Sequence, residues 1–440
     1  MRIDGRAADG LRPCAIQPGF VGTAHGSCLI SFGGTRVIVT ASVEDGVPPF
    51  LRGKGRGWLT AEYAMLPAST GRRKARDGVK KDGRGVEISR LVGRALRQAV
   101  DLSRLGERTV TIDCDVLEAD GGTRTAAITG GFVALCLAVR RLLESGSLKE
   151  SPIVTQVAAV SCGLLGGEAL LDLCYEEDSR AQADANFVLN GDMDIIEVQG
   201  NGEGGAFGED KLLAMLALAK RGAARLMEIQ REALGDAAAL IGQKQTLVLA
   251  TSNDGKVREL RAMLGDRYRV VSMREAGFAG DVEETGATFA ENAAIKAEAV
   301  RDATGYLSLA DDSGLEVDAL GGAPGVYSAR YAGEERDEEK NRLLLQKTME
   351  GVENRAARFV SALALASPFG PTRVFTGTCE GTIADAPRGT GGFGYDSLFV
   401  WRDGRTFAEL SPQEKDSVSH RARAMEQLQK ALGQPGADAP

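Results

Sequence analysis

Two glycine turns, one in each half of the chain, constrain how it can fold. Each follows an apolar strand pattern and precedes a helical pattern: the first reads GGTR at residues 121–124, the second SNDGK at 252–256. A glycine turn that opens a helix presents backbone N–H groups at the positive end of the helix dipole, which favours an anion. The turns therefore predict two separate strand–turn–helix domains, each with its own anion site.

The boundary between these domains is predicted from a change of pattern. Apolar residues recur at helical spacing over 210–240, and a new strand pattern begins at 246. A chain of 440 residues is long enough for both halves to bury a core. The predicted parts are residues 1–242, residues 246–432 and a disordered tail at 433–440.

Composition restricts the chemistry. A net charge of −8 argues against a protein that coats nucleic acid indiscriminately, although it permits a local basic groove. With only His25 and His420 available, both halves must rely on carboxylates, arginines, lysines and a metal. The seven cysteines form no CxxC pair, which argues against zinc and favours a reduced, cytoplasmic protein. The longest apolar stretch, near 132–139, is too short to span a membrane.

The first half has a basic segment. Arg72, Arg73, Lys74, Arg76, Lys80, Lys81 and Arg84 precede a helical pattern at 87–105. On this helix Arg90, Arg94 and Arg97 share a stripe away from the apolar face. Segment and stripe together predict a track for a polyanion, and a solvated loop is the alternative.

Two further features of this half are candidates for chemistry. Arg124 adds a charge to the GGTR turn, which lacks the ending of a P-loop and also fits an ordinary strand-to-helix turn. Asp178 and Asp184 lie in a stretch typical of an acidic surface turn, but Asp184 adjoins the apolar strand 185–189. Two carboxylates near a phosphate can bind Mg²⁺ or assist proton transfer.

Residues 1–240 closely resemble ribonuclease PH. The segments that carry the resemblance are RIDGR (2–6), GWLTAEYAMLP (57–67), DCDVLEADGGTRT (113–125) and EVQG (197–200). The resemblance implies an α+β fold in β-α-β layers and a phosphate-dependent 3′→5′ exoribonuclease. Such an enzyme trims tRNA precursors and other RNA 3′ ends, releases nucleoside diphosphates and forms a hexameric ring.

The resemblance also implies roles for individual residues. Arg84, Gly122, Thr123 and Arg124 match the residues that hold inorganic phosphate. Asp178 and Asp184 match the two aspartates that serve catalysis or metal binding.

The second half has short polar motifs at the ends of its predicted elements. Lys256 ends the SNDGK turn at the start of a helix, and this arrangement can seat a triphosphate. Asn292 and Lys296 share one face of the helix predicted at 289–304, and a solvent-facing pair is the alternative. Residues 311–314 are predicted as a loop that caps the strand 308–310.

Carboxylates and a glycine loop complete this second set. Asp311 and Asp312, with Glu283 and Glu284, can form a Mg²⁺ site, and one aspartate can activate water. In the glycine loop at 389–396, Phe393 can stack on a base and Asp396 can accept hydrogen bonds from ring N–H groups.

Residues 246–432 resemble the inosine/xanthosine triphosphate pyrophosphatase family. GGAPGVYSARY (321–331) and SHR (419–421) complete the match. The resemblance implies an α/β fold with an elongated mixed sheet flanked by helices, usually as a dimer. It also implies Mg²⁺-dependent hydrolysis of ITP, dITP and XTP, the triphosphates of deaminated purines, to the monophosphate and pyrophosphate.

By the same resemblance, Asp312 is the general base, and Glu283 or Glu284 binds the metal with it. The residues implied to contact substrate are Thr251, Ser252, Asn253, Asp254, Gly255, Lys256, Ser313, Phe393, Gly394, Tyr395, Asp396, Lys415, His420 and Arg421.

The hypothesis from sequence is a bifunctional cytoplasmic enzyme that acts on RNA 3′ ends and on free nucleotides, without a membrane. One alternative is that one half is a non-catalytic RNA-binding or assembly scaffold. Such a scaffold is expected to have lost Arg84, Arg124 or Asp184, and the chain has all three. The other alternative is a pyrophosphatase with little base selectivity, because one contact to the base sets that preference.

Overall fold

The computed structural model describes residues 2–75, 83–251 and 254–433, except the side chains of residues 254–256, 259, 416 and 433. The chain forms two compact units, Met1–Gln243 and Lys244–Pro440. Several predictions fall outside the described residues: the tail after residue 433, Ser252, Asn253, and the basic residues Arg76, Lys80 and Lys81.

The first unit contains two sheets. One has the strand order β1-β2-β3-β5-β4, in which only the pair β4 and β5 is parallel, and the other is antiparallel with the order β7-β6-β8-β9. The strands are β1 Cys14–Pro18, β2 Gly26–Phe32, β3 Thr35–Asp45, β4 Trp58–Met65, β5 Arg108–Glu118, β6 Val157–Leu165, β7 Glu168–Leu171, β8 Ala183–Asn190 and β9 Ile195–Asn201.

Helices separate the two sheets. They are α1 Gly83–Arg97, α2 Thr123–Glu144, α3 Tyr175–Asp178 and α4 Glu209–Leu234. The helix α2 packs against β2 and β3 of one sheet and β6 of the other, and α4 packs against β6 and β7. These contacts confirm the predicted α+β fold in layers.

The central helix α2 is longer than the apolar stretch predicted at 132–139. By length and composition it is apolar enough to cross a membrane, but 83% of its most apolar window is buried within the protein. Burial on both sides explains this composition, because a helix that is apolar all round is typical of a protein core.

The ends of two helices differ from the prediction. The helix predicted at 87–105 begins at Gly83 and ends at Arg97, and Val100 forms an isolated bridge with Ile153 instead. The helix predicted at 210–240 ends at Leu234, where Gly235 takes a φ of 54° and a 3₁₀ turn follows. Tertiary pairing and a glycine C-cap ended helices that the apolar period alone extends.

The second unit is built on one mixed sheet with the order β11-β10-β12-β13-β14-β15. The strands β11, β10 and β12 are parallel, and the others pair antiparallel. They are β10 Thr246–Leu249, β11 Arg269–Ser272, β12 Leu307–Val317, β13 Ala356–Ala366, β14 Arg373–Ile383 and β15 Phe399–Val400.

Helices cover both faces of this sheet. They are α5 Asp254–Leu264, α6 Phe289–Thr304, α7 Glu338–Thr348, α8 Pro412–Val418 and α9 His420–Gly433. On one face Ala293 and Ala297 of α6 share a core with Ala310 of β12. On the other face Ala424 and Leu428 of α9 share a core with Leu309. The predicted α/β fold, a mixed sheet flanked by helices, is confirmed.

The strand β12 corrects one prediction. Residues 311–314, predicted as a loop, continue the strand and pair with β13 from Ser308–Ala366 to Val317–Ala357. The long antiparallel partner overrides the low strand propensity of Asp and Gly. Because successive side chains of a strand point to opposite faces, Asp311 and Asp312 are directed away from each other.

Candidate active sites

The first candidate site is built on the glycine turn before α2. Gly121 and Gly122 have φ values of 77° and 66°, and a Cβ on Gly121 would lie 2.7 Å from the Leu173 carbonyl oxygen. Only glycine fits this turn, which directs the first N–H groups of α2 outward. Sequence reasoning missed Arg12, a buried arginine beside the turn that binds the Asp120 carbonyl and pairs with Asp172 at 2.6 Å. Its charge adds to the positive end of α2.

Thr123 and Arg124 follow the turn. The Thr123 hydroxyl is 2.8 Å from the Tyr63 hydroxyl. Arg124 donates to Gln199 Oε1 at 2.8 Å and lies 3.6 Å from Glu87. These partners fix the guanidinium at the start of α2.

Asp178 and Asp184 complete this site. Burial raises the pKa of Asp178, the charge of Asp184 raises it further, and Arg84 and Arg124 lower it. Burial and Glu203 raise the pKa of Asp184, and Arg124 lowers it. The predicted arginines and aspartates are therefore close enough to act on one another, and Glu203 is an addition that sequence reasoning missed.

The carboxylates of this site are candidate metal ligands. Within the described ranges, no group of three or more His, Cys, Asp or Glu side chains is arranged around one metal position. Asp178 and Asp184 nevertheless fit Mg²⁺ chemically, because they are hard oxygen donors whose mutual repulsion a cation would relieve. They are the residues that would hold it.

The predicted arginine stripe is not the free basic track that the sequence indicated. Arg94 pairs with Glu197 at 2.6 Å, and Arg97 donates to the Leu59 carbonyl and lies over the Trp58 ring. The stripe forms one wall of a cleft of about 790 Å³. Carboxylates form part of the lining as well, from Glu62, Asp113 and Asp115. Glu197 of β9 offsets the charge of Arg94, a pairing that the helical pattern alone does not reveal.

The second candidate site centres on Lys296. Its ammonium group donates to Asp312 Oδ1 at 2.8 Å and to Glu284 Oε1 at 3.1 Å, and Arg330 lies 3.9 Å from Glu284. Burial lowers the pKa of Lys296, but Asp312 and Glu284 raise it overall, so the ammonium stays charged. Burial raises the pKa of Asp312, and Lys296 opposes that rise. In the sequence, Lys296 is marked only by its helical spacing from Asn292.

The loop that carries Glu284 is held from α6. Asn292, 1% exposed, accepts a hydrogen bond from the Gly286 N–H at 2.7 Å. Glu283 is exposed, whereas Glu284 is half-buried. Both Glu284 and Asp312 pair with the ammonium group of Lys296. The pair Glu284 and Asp312 therefore fits Mg²⁺ better than Glu283 does.

The opposite face of β12 holds a separate polar group. Asp311 accepts hydrogen bonds from Ser361 at 3.0 Å and pairs with Arg421 at 3.1 Å. Ser313 lies across from Ser361 on the same face. The ring of His420 stacks on Phe359 with centroids 4.9 Å apart.

Two side chains of the glycine loop make contacts that differ from their predicted roles. Asp396 is 4% exposed and accepts from the Phe393 N–H at 2.9 Å and from Lys415, so one of its oxygens already closes the loop. Tyr395 is buried, donates to the Ser328 carbonyl at 2.8 Å and has its pKa raised by burial, which makes it an anchor rather than a base contact. Phe393 is 59% exposed and lies 4.7 Å from the Lys415 ammonium. Its ring is therefore accessible to a ligand.

The remaining predicted residues are only partly described. Thr251 follows β10 and is half-buried. Asp254, Gly255 and Lys256 begin α5, and their side chains lie outside the description. The Gly394 N–H donates to Glu338 at 2.8 Å.

Comparison with known proteins identifies both halves. The Ham1 family matches residues 247–431, and domains 1 and 2 of the 3′ exoribonuclease family match residues 10–140 and 155–222. These matches confirm the two resemblances, and they support a phosphorolytic exoribonuclease of the RNase PH type and an ITP/XTP pyrophosphatase of the Ham1 type.

Several solved structures are similar to parts of the chain. The Staphylococcus aureus Ham1 protein is 43% identical over 98% of its length and 43% of this chain, with a TM-score of 0.42. A nucleoside-triphosphatase, dITP/XTP pyrophosphatase, from Mycobacterium abscessus is 45% identical over 98% of its length and 42% of this chain, with a TM-score of 0.39. The Archaeoglobus fulgidus exosome with RNA bound is 26% identical over 91% of its chain and 52% of this one, with a TM-score of 0.45. The chain belongs to the Ham1 family through residues 247–431, and residues 10–140 and 155–222 ahead of them match the models of domains 1 and 2 of the 3′ exoribonuclease family.

Proposed function

We propose that the chain is a bifunctional cytoplasmic enzyme. The first unit shortens the 3′ ends of tRNA precursors and other RNAs with inorganic phosphate and releases nucleoside diphosphates. The second unit hydrolyses ITP, dITP and XTP to the monophosphate and pyrophosphate, and both use Mg²⁺. The first unit assembles as a hexameric ring and the second as a dimer, so that the mass of the native assembly, measured by light scattering, tests this part of the proposal.

One observation supports the phosphorolytic activity: the charges of Asp184, Arg84 and Arg124 all shift the pKa of Asp178, and Arg124 also shifts that of Asp184. Phosphate and the RNA backbone are both anionic, so fixed positive charge must neutralise them before they can approach. An oxygen of inorganic phosphate attacks the last phosphodiester, a new P–O bond forms, and the 3′ oxygen leaves with a proton that an aspartic acid supplies.

The triad of Asp312, Lys296 and Glu284 supports the pyrophosphatase activity. Asp312 takes a proton from the attacking water, and Lys296 keeps that carboxylate oriented and stabilises negative charge on the phosphates. Mg²⁺, when bound by Glu284 and Asp312, acts as a Lewis acid on the phosphate oxygens. Phe393 stacks on the purine.

Two single substitutions test the proposal. Asp184→Ala is expected to abolish phosphate-dependent shortening of RNA and to leave dITP hydrolysis intact. Asp312→Ala is expected to do the reverse, so each variant is the folding control for the other. Loss of both activities in either variant would contradict two independent sites.

A further inference from the structure

A row of polar side chains crosses the second sheet of the first unit. Ser161 of β6 lies opposite Asn186 of β8, and Asn186 lies opposite Gln199 of β9. Side chains at opposed positions share a face of the sheet, so the three form one continuous row. Asp184 is two residues before Asn186 in β8 and therefore lies on that face too. The row runs directly beside a predicted catalytic carboxylate.

One end of the row reaches the glycine turn. Ser161 is only 7% exposed, and among the described residues its hydroxyl has no hydrogen-bond partner. Ser161 Oγ lies 3.8 Å from the position that a Cβ on Gly122 would occupy, and Arg12 lies 3.0 Å from the same position. Leaving a buried hydroxyl without a partner is costly. The position of this hydroxyl beside the start of α2 indicates that a ligand supplies the partner.

The other end of the row is Gln199, which contacts the charged side chain of Arg124. Gln199 accepts a hydrogen bond from Arg124 at 2.8 Å. Asn186 stands between Gln199 and Ser161, and in the part of the chain that the structure describes its amide makes no hydrogen bond. The row thus runs from the neighbourhood of Gly122 to the side chain of Arg124 through neutral groups that can donate hydrogen bonds.

We propose that Ser161 and Asn186 bind the inorganic phosphate that attacks RNA. The Ser161 hydroxyl and the Asn186 amide donate hydrogen bonds to its oxygens, while Arg84 and Arg124 supply charge. Neutral donors bind an anion without the repulsion that a further cation would bring to Arg12 and Arg124. This inference rests on the proposed phosphorolytic function and assigns two more residues to it.

The test uses the full chain and separates the two substrates. Ser161→Ala and Asn186→Ala are each expected to raise the KM for phosphate about tenfold, because a hydrogen bond to a charged group is stronger than a neutral one. The KM for RNA is expected to stay within about twofold. Ser161→Thr, which keeps the hydroxyl, is expected to restore much of the phosphate affinity. Ser147→Ala, an exposed serine beyond the far end of α2, is the matched control.

Other outcomes are decisive as well. An unchanged KM for phosphate in both variants overturns the proposal, and so does an equal or larger rise in the KM for RNA, which would assign the row to the terminal ribose. Asn186→Asp keeps the side-chain shape and is expected to weaken phosphate binding more than alanine does.

If the unaltered chain does not shorten RNA, the proposed function fails. Calorimetric titration of inorganic phosphate into the chain and the Ser161→Ala variant then tests the inference alone, because equal binding refutes it.

Discussion

Asp311 and Asp312 are consecutive residues of β12, yet their carboxylates bind partners on opposite faces of the sheet. Asp311 pairs with Arg421, in the first turn of α9, and Asp312 pairs with Lys296 of α6. Alternation along a strand produces this separation without any turn. One strand therefore supplies a buried structural ion pair to one face and the proposed base to the other.

Substituting the two aspartates is expected to have different effects. Asp311→Asn removes the charge that pairs with the half-buried Arg421 at 3.1 Å, so the free energy of unfolding of the second unit should fall by about 2 to 4 kcal/mol. Asp312→Asn should lower kcat for dITP by about a thousandfold, because the proposed base is lost. Its effect on stability should be smaller, since Lys296 keeps Glu284 as a partner.

The two tryptophans make this comparison measurable. Trp401 lies in the second unit and Trp58 in the first, so Trp58→Phe leaves one reporter of the second unit. Urea unfolding followed by Trp401 fluorescence gives the stabilities of both variants in that background. Equal destabilisation by the two substitutions would contradict the assignment of Asp311 to structure and Asp312 to chemistry.

Lys296→Met is expected to lower kcat for dITP by about 10²- to 10³-fold, the usual effect of removing one fixed electrostatic donor. Glu284 and Asp312 then lose the cation that they share and repel each other. The measurement is a steady-state assay of dITP hydrolysis, with phosphate-dependent RNA shortening as the internal control. Lys340→Met, an exposed lysine on α7, should leave both activities unchanged. A normal kcat in Lys296→Met would exclude the lysine from the mechanism.

Gly392 and Gly394 offer a matched pair in the glycine loop. Both have positive φ values, 77° and 56°, so alanine strains the backbone at either position. A Cβ on Gly392 would lie 2.1 Å from Asp396 Oδ2, whereas a Cβ on Gly394 meets nothing within 4 Å. Gly392→Ala should therefore also displace Asp396 from Lys415 and misplace Phe393.

The expected result is a rise in the KM for dITP that is about tenfold larger in Gly392→Ala than in Gly394→Ala, because misplacing a substrate-positioning group is costly. The value of kcat should change less, since Asp312 and Lys296 belong to other elements. Steady-state titration of both variants with dITP gives the comparison. Equal effects would show that backbone strain, and not the Asp396 contact, governs the loop.

The sequence predicts the fold of this protein well where the pattern is long. The buried face of α2 and the layers around it follow from apolar periodicity and from the glycine turn. The prediction from sequence is wrong at β12 and at the end of α1, because long-range strand pairing decides the local structure there. Asp311 to Gly314 have low strand propensity, and only the partner strand β13 keeps them extended. Val100 leaves the helical pattern because Ile153 pairs with it.

The site shows the same division between local and long-range information. The residues near the glycine turns were identified because a strand–turn–helix unit is a local pattern. Arg12 and Lys296 were not assigned roles, because their partners lie far away along the chain: Arg12 binds Asp172, and Lys296 binds Asp312. The burial of Tyr395 was also not predictable, because its acceptor, the Ser328 carbonyl, belongs to another segment.

The carboxylates in the cleft of the first unit predict a pH-dependent stability. Asp113 lies directly opposite Glu62 on the neighbouring strand and two residues before Asp115. Burial raises the pKa of Asp113, and the charges of Asp115 and Glu62 raise it further. A folded-state pKa above the unfolded value near 4 means that ionisation of Asp113 lowers the free energy of unfolding. The stability that the protonated carboxyl preserves is fully present below the unfolded pKa, and it is lost as the pH rises through the folded-state pKa.

Asp113→Asn removes this ionisation and is expected to stabilise the first unit by about 1 kcal/mol at pH 7. The gain should shrink as pH falls and disappear below about pH 4, where the aspartate is protonated in both states. Urea unfolding followed by Trp58 fluorescence in a Trp401→Phe background measures it, and Asp9→Asn, an exposed aspartate of the same unit, is the control. A gain that is the same at pH 4 and pH 7 would mean that the substitution acts through packing, because the removal of a repelled charge must titrate with Asp113.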